Sequence, residues 1–341
     1  MLSRSLRQLP FHAGTQFAGA TLALFLMTAP SYAQAQSTPQ QATTAAQASE
    51  SLASVPDHVF LKKRSREVFA AQVMLDRLRF SPGVIDGYGG GNTARAIKAY
   101  QRAKGMAPTG RVDAALLAAL HGAGAEPVGK RYTLIDADLA GPFGDLPEGM
   151  EALSKVEATH YESAAETIAE KFHMSQELLR VLNPDIDRAE PGNTITVAAT
   201  RAVPIEATVA RIEVDGPAAA LRAYAVDGRL LAAYPATVGS GDFPSPSGKM
   251  EVRAIAAAPV YYFSPEGRSW GPDKRLTIAA GPNNPVGSTW IDLTKKGYGI
   301  HGTPDPRLIG KTASHGCVRL TNWDAQELAK AVTKGTTVEF L

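Results

Sequence analysis

The feature that most limits what this chain can become is a run of short, alternating apolar segments between Ile205 and Leu341, each closed by turn residues. Thr208 to Val214 alternates, and Leu221 to Val226 and Arg229 to Tyr234 flank Asp227-Gly228, a dipeptide that favours a tight hairpin. Ala236 to Val238, Lys249 to Ile255, Thr277 to Ala280, Tyr298 to His301 and Thr336 to Phe340 read as further strands. One late helix is expected from Asn322 to about Val332, because Thr321 and Asp324 have the spacing of a capping box. Regularly spaced short strands with one late helix predict a mainly β domain over residues 205–341, sandwich- or barrel-like. The 31 glycines and 23 prolines supply the turns such an architecture needs.

The chain ahead of it reads differently. Arg4 and Arg7, the apolar run Phe17 to Met27 and the small-residue site Ala33-Gln34-Ala35 have the form of an export signal over residues 1–35. Cleavage near Gln36 would leave a periplasmic protein with no stable membrane span. Residues 36–60 are rich in Gln, Ala, Ser and Thr and read as a flexible linker. From Arg66, Val68, Ala71, Leu75 and Leu78 recur at helical spacing until Pro82-Gly83. A glycine-rich turn from Asp86 to Thr93 leads to a second helix carrying Ala96, Ile97, Tyr100 and Gln101, with Asp86 and Asn92 as turn and cap residues. Thr109 to Asp113 opens a third, with Leu116, Leu117 and Leu120, so residues 61–122 predict a small helical bundle.

Residues 123–150, broken by Gly141-Pro142, Gly144 and Pro147, read as an irregular connector. Within residues 151–200 a helix is expected from Ser163, a second near Glu177 to Leu182, an Asn183-Pro184 stop and a strand at Thr194 to Val197. The whole is therefore a multidomain α+β chain. Its formal charge, 35 minus 33 or +2, comes with no basic run dense enough to follow a phosphate backbone, which excludes nucleic acid as a partner. His160 and His173 lack the ligand spacing of a metal site and read as surface or packing residues.

The chemistry concentrates between Gly299 and Leu320, which hold Cys317, the only cysteine in the chain, with His301 and His315. A thiol needs a base to become a good nucleophile near neutral pH, and imidazole suits that task. The backbone N–H groups of Gly316 and Cys317 are candidate oxyanion donors, since glycine lets the chain come close to a bound carbonyl. Spacing alone leaves both histidines open as the base.

Three resemblances give these features a context. Residues Arg66 to Leu120, with an Ile85-Asp86-Gly87 turn, the Thr93 to Gln101 helix and the Thr109 to Asp113 turn, resemble the three-helix peptidoglycan-binding domain. The block from Tyr161 through Asn183-Pro184 to Pro191-Gly192-Asn193-Thr194-Ile195 resembles a LysM module, a strand-helix-helix-strand unit that binds N-acetylglucosamine chains. Ile300-His301-Gly302-Thr303 followed by Ser314-His315-Gly316-Cys317-Val318-Arg319-Leu320 resembles the signature of L,D-transpeptidases of the YkuD type.

The last resemblance implies Cys317 as nucleophile and His301 as proton donor and acceptor, its ring oriented by a backbone carbonyl such as that of Gly302. It places Arg319, His315 and Ser314 on the substrate side, Arg319 as a fork for a stem-peptide carboxylate. It implies no cofactor and no metal, and partners among peptidoglycan stem peptides and glycan strands, with a lipoprotein as an alternative acceptor. Acyl transfer from a Cys317 thioester would give crosslinks between third residues or lipoprotein anchoring. A hydrolase on the same fold and a non-catalytic wall-binding protein are the rival readings.

Overall fold

The structure is a computed structural model that describes residues 55–60, 63–124 and 126–341. The export signal at 1–35 and all but the last part of the 36–60 linker lie outside the described residues. Among the described residues no helix is long and apolar enough to cross a membrane.

Three helices come first: α1 (Arg66–Arg77), α2 (Gly91–Ala103) and α3 (Ala114–Ala123). Ser65 caps α1 by accepting from the Val68 N–H at 3.3 Å, and Asp113 caps α3 by accepting from the Leu116 N–H at 2.8 Å. Helix α1 stops before Pro82-Gly83, because Arg79 takes a left-handed φ of 61° and turns the Phe80 N–H back to the Leu75 carbonyl. Asn92 is not a cap. Gly90 occupies that position, and the Asn92 Nδ2 instead donates to the Ile309 carbonyl at 2.8 Å.

Residues 129–133, expected to be irregular, form strand β1 (Gly129–Thr133), paired antiparallel with β2 (Thr194–Ala198). Between them lie the single turn α4 (Met150–Leu153), α5 (Ala164–Lys171) and α6 (Gln176–Leu182). The strand opening this unit thus lies upstream of residue 151, and only tertiary pairing with β2 reveals it. Asn183 ends α6 by exchanging hydrogen bonds with Thr196 of β2, 2.8 Å from Nδ2 and 2.7 Å to Oδ1, which gives the Asn-Pro pair its purpose. One apolar cluster running from Val55 to Ala198 serves both the three-helix bundle and this unit.

The rest is organised by an eight-stranded sheet. Its strands are β3 (Arg211–Asp215), β4 (Ala220–Tyr224), β5 (Leu230–Pro235), β6 (Gly248–Ala257), β9 (Thr289–Leu293), β10 (Gly299–His301), β11 (Val318–Arg319) and β12 (Thr337–Phe340). A separate hairpin, β7 (Tyr261–Phe263) with β8 (Leu276–Ile278), projects from it. The order is β11-β10-β9-β6-β12-β3-β4-β5, with β12 parallel to β3 and β10 parallel to β11. The sheet curls until Thr237, just past β5, forms an antiparallel bridge with Arg319 on the far edge. The barrel-like expectation for residues 205–341 therefore has a physical basis, although Ala236 to Val238 contributes bridges rather than a strand.

Helix α7 (Asn322–Ala331) packs on β9 and β10. Thr321 caps it by accepting from the Asp324 N–H at 3.2 Å, but the capping box is not completed. The Asp324 carboxylate is taken instead by Ser81 Oγ at 2.8 Å and Arg201 Nη2 at 2.6 Å. Arg201 also reaches Asp76 of α1 and, at 3.1 Å, Glu327 of α7, so one buried guanidinium ties the helical region to the sheet domain. His173 is buried beside this group, stacked on Trp323 with ring centres 5.1 Å apart.

Candidate active site

Strands β9, β10 and β11 set the site through their register. Ile291, Ile300 and Val318 form one rung, fully buried in the sheet's core. The next rung, Trp290, His301 and Arg319, therefore faces the opposite side. Cys317 immediately precedes β11, at the end of the sheet where Gly299 opens β10. Any side chain on Gly299 would strike the Trp290 ring, whose Cζ2 lies 2.5 Å from the position of a Cβ. That ring in turn stacks on His301, with centres 5.4 Å apart and planes inclined by 22°.

His301 is 3% exposed, and its Nδ1 donates to the Gly302 carbonyl at 2.7 Å. A carbonyl can only accept, so the neutral ring carries its proton on Nδ1 and leaves Nε2 as the basic atom. Burial, reinforced by the Arg319 charge, pulls the His301 pKa down to about 3, against the Gly302 and Val286 carbonyls, which favour the protonated ring. Cys317 is half-buried, its thiol 3.7 Å from the Gly297 carbonyl. Burial pushes this thiol up, while the Gly299 N–H and the charges of Arg268 and Arg319 work the other way. The resting pair is thus a neutral thiol and a neutral imidazole, with Arg319 the charge felt by both.

Arg319 itself is unusual. Its Nε is buried without a hydrogen-bond partner, and the groups that favour its charge are Cys317 and Tyr261 rather than any carboxylate. Such an arrangement is costly unless an anion arrives from outside.

The other expected residues fall into two groups. Ser314 is 3% exposed, and its hydroxyl both donates to the Cys317 carbonyl and accepts from the Gly316 N–H. It shapes the turn that carries Cys317, and its single O–H is spent inside that turn. The same bond commits the Gly316 N–H at 3.1 Å, which removes it as an oxyanion donor. Gly302 likewise spends its N–H on the Thr289 carbonyl at 3.2 Å, and its contribution is the carbonyl on His301. Gly316 is needed for another reason: its φ of 109° is a conformation that side chains rarely adopt.

His315 is exposed and sits in an aromatic stack, 3.9 Å from Trp270 and 4.8 Å from Phe243 between ring centres. Arg268 lies over the Trp270 ring at 4.9 Å, so the loop between β7 and β8 brings a second cation toward Cys317. Sequence reasoning missed Trp290, Tyr261, Arg268 and Trp270. The alternation of Trp290-Ile291-Asp292-Leu293 carried a strand signal for the first, whereas nothing local marks the loop residues.

Comparison with known proteins decides the family. Residues 210–340 match the model of the YkuD L,D-transpeptidase catalytic domain, and residues 64–120 match that of a peptidoglycan-binding domain. A protein of Bacillus licheniformis named as L,D-transpeptidase YkuD is 31% identical over 178 residues, 51% of this chain and 90% of its own. The chain belongs to the L,D-transpeptidase family. It shares 51% identity over 57 residues with the YkuD protein of Bacillus subtilis, covering 17% of this chain and 35% of that one. With the Escherichia coli protein named as L,D-transpeptidase YbiS it shares 41% identity over 76 residues, covering 22% and 24% of the two chains. Among solved structures, an L,D-transpeptidase from Xylanimonas cellulosilytica aligns over 84% of this chain and 97% of its own at 17% identity. Its TM-score is 0.38. As a cysteine-dependent L,D-transpeptidase with a single cysteine, the chain has Cys317 as its one available thiol.

Proposed function

We propose that Cys317 attacks the carbonyl of the third residue of a peptidoglycan stem tetrapeptide and forms a thioester, releasing the terminal D-amino acid. The observation that carries this reading is the half-buried Arg319, its Nε buried without a partner, on the same rung as His301 and two residues from Cys317. A stem peptide bears carboxylates, and the Arg319 fork supplies the charge to hold one beside the thiol. Approach of that anion offsets the cationic field on His301, which makes Nε2 a better acceptor for the thiol proton. The imidazolium then gives its proton to the departing amine, and the roles reverse when an acceptor amine attacks the thioester. With the Gly316 N–H committed elsewhere, oxyanion stabilisation falls to the Cys317 N–H and the nearby guanidinium.

The acceptor is a second stem peptide, giving crosslinks between third residues, or the lysine of a lipoprotein, giving wall anchoring. The peptidoglycan-binding domain at 64–120 supports a wall polymer as substrate, and the strand-helix-helix-strand order of residues 129–198 fits glycan contact by the second unit. A wall polymer as substrate supports a periplasmic location for the enzyme.

Incubation with disaccharide-tetrapeptide, followed by mass spectrometry, tests this. A Cys317 adduct and dimer formation, both lost in Cys317→Ala, are expected. Tripeptide without dimer would make the protein a hydrolase, and no adduct at all would reduce it to a wall-binding scaffold.

A further inference from the structure

Asn322, at the start of α7, is 1% exposed and stands at the centre of the backbone that holds His301. Its Oδ1 accepts from the Ser288 N–H at 3.0 Å and the Thr303 N–H at 3.1 Å. The turns that supply those amides also carry the Val286 and Gly302 carbonyls facing the imidazole. The fit is close: a Cβ on Gly287 or on Gly302 would lie 2.2 Å from Asn322 Oδ1.

A carboxamide has two nearly identical ends, so this arrangement works only if something fixes which end is which. The Nδ2 end faces acceptors alone. It donates to the Pro282 carbonyl at 3.2 Å and to both oxygens of Glu170, at 3.2 and 3.1 Å. Glu170 is itself buried, held by the Tyr161 hydroxyl at 3.2 Å, and belongs to α5. That helix lies outside residues 210–340, the stretch matched to the catalytic domain.

We infer that Glu170 is a positioning residue for the transpeptidase reaction: as acceptor for Asn322 Nδ2, it keeps Oδ1 on the two turns whose carbonyls orient His301. This rests on the reading of His301 as proton carrier. The catalytic constellation is thereby completed by a side chain from the neighbouring strand-helix-helix-strand unit.

The full chain carrying Glu170→Ala or Glu170→Gln tests the role, with acylation kinetics on disaccharide-tetrapeptide and NMR of the labelled His301 ring in the resting protein. Glu170→Ala is expected to lower kcat about tenfold with KM within about twofold, and to shift the His301 nitrogen signals. Glu170→Gln keeps an acceptor oxygen for Asn322 and restores both readouts. A His301 signal unmoved in Glu170→Ala overturns the inference, whatever happens to melting temperature. So does a shifted signal with unchanged kcat, or a glutamine variant as impaired as the alanine one. The ring signal needs no turnover, so a failure of the thioester mechanism in the parent protein is read separately.

Discussion

Thr237 and Arg319 exchange backbone hydrogen bonds of 2.9 Å in both directions, and this bridge joins the two ends of the curled sheet. The Thr237 hydroxyl also accepts from the Gly310 N–H at 2.8 Å, anchoring the turn that leads toward Cys317. Thr237→Val keeps the shape and the bridge but leaves that amide unpaired. A loss of about 1–3 kcal/mol is expected from urea unfolding, and an unchanged midpoint would remove the hydroxyl from the closure.

Charge neutrality of the resting pair fixes a pH profile. With His301 held at about 3 and the Cys317 thiol pushed up, neither group changes charge near neutrality. The kcat/KM for acylation is expected to be flat from about pH 5 to 8. An inflection near 6.5, where an ordinary histidine titrates, would show that the imidazole is not held in this way.

Arg319→Met separates stability from function. Because the guanidinium has no partner to lose, unfolding free energy should stay within about 1 kcal/mol of the parent or rise above it. Losing a charge-assisted contact to the substrate should lower kcat/KM by about 10- to 100-fold. A large stability loss with intact kinetics would make Arg319 a structural residue.

Arg201 behaves in the opposite way. Arg201→Met would strand the Asp76 and Asp324 carboxylates, both fully buried, and should cost about 3–5 kcal/mol. Chemical denaturation of the full chain measures it, and a loss below about 1 kcal/mol would mean that water or another cation takes its place.

Two buried carboxylates shape stability against pH with opposite signs. Burial alone would raise Asp76, but Arg201 and His173 outweigh it and leave the group at about 2, below its ordinary 3.8. Its contribution is present above that ordinary value and fades as pH falls toward 2. Glu170 is lifted by burial from 4.5 to about 7, so it favours the folded state in acid and loses that contribution as pH rises through 7. Because His301, held at about 3, adds stability as pH rises toward 6.5, the Glu170 decline between about pH 4.5 and 7 is read as the difference in unfolding free energy between the parent and Glu170→Gln. A decline unaltered by that substitution would assign it to other groups.

Local chemistry was legible in the sequence and long-range pairing was not. The Thr321 cap, the Asp227-Gly228 turn and the alternating strands all act within a few residues, and the structure realises them. The Cys317 and His301 segments were conspicuous because thiol, imidazole and glycine occur together there. Strand β1 escaped notice because its partner is 61 to 69 positions away and its own residues, Gly-Lys-Arg-Tyr-Thr, barely alternate. The second half of the capping box failed because Arg201 outcompetes a backbone amide for Asp324, a choice set by tertiary packing. Asn322 and Glu170 lie 152 positions apart, and no spacing rule connects an amide at one helix start with a carboxylate on another helix.

Strand β12, at residues 337–340, lies between β3 and β6 near the middle of the sheet, although both neighbours precede it by many tens of residues. A chain that stops after Cys317 would therefore carry the thiol but lack both the strand that joins β3 to β6 and the helix packed on β9 and β10.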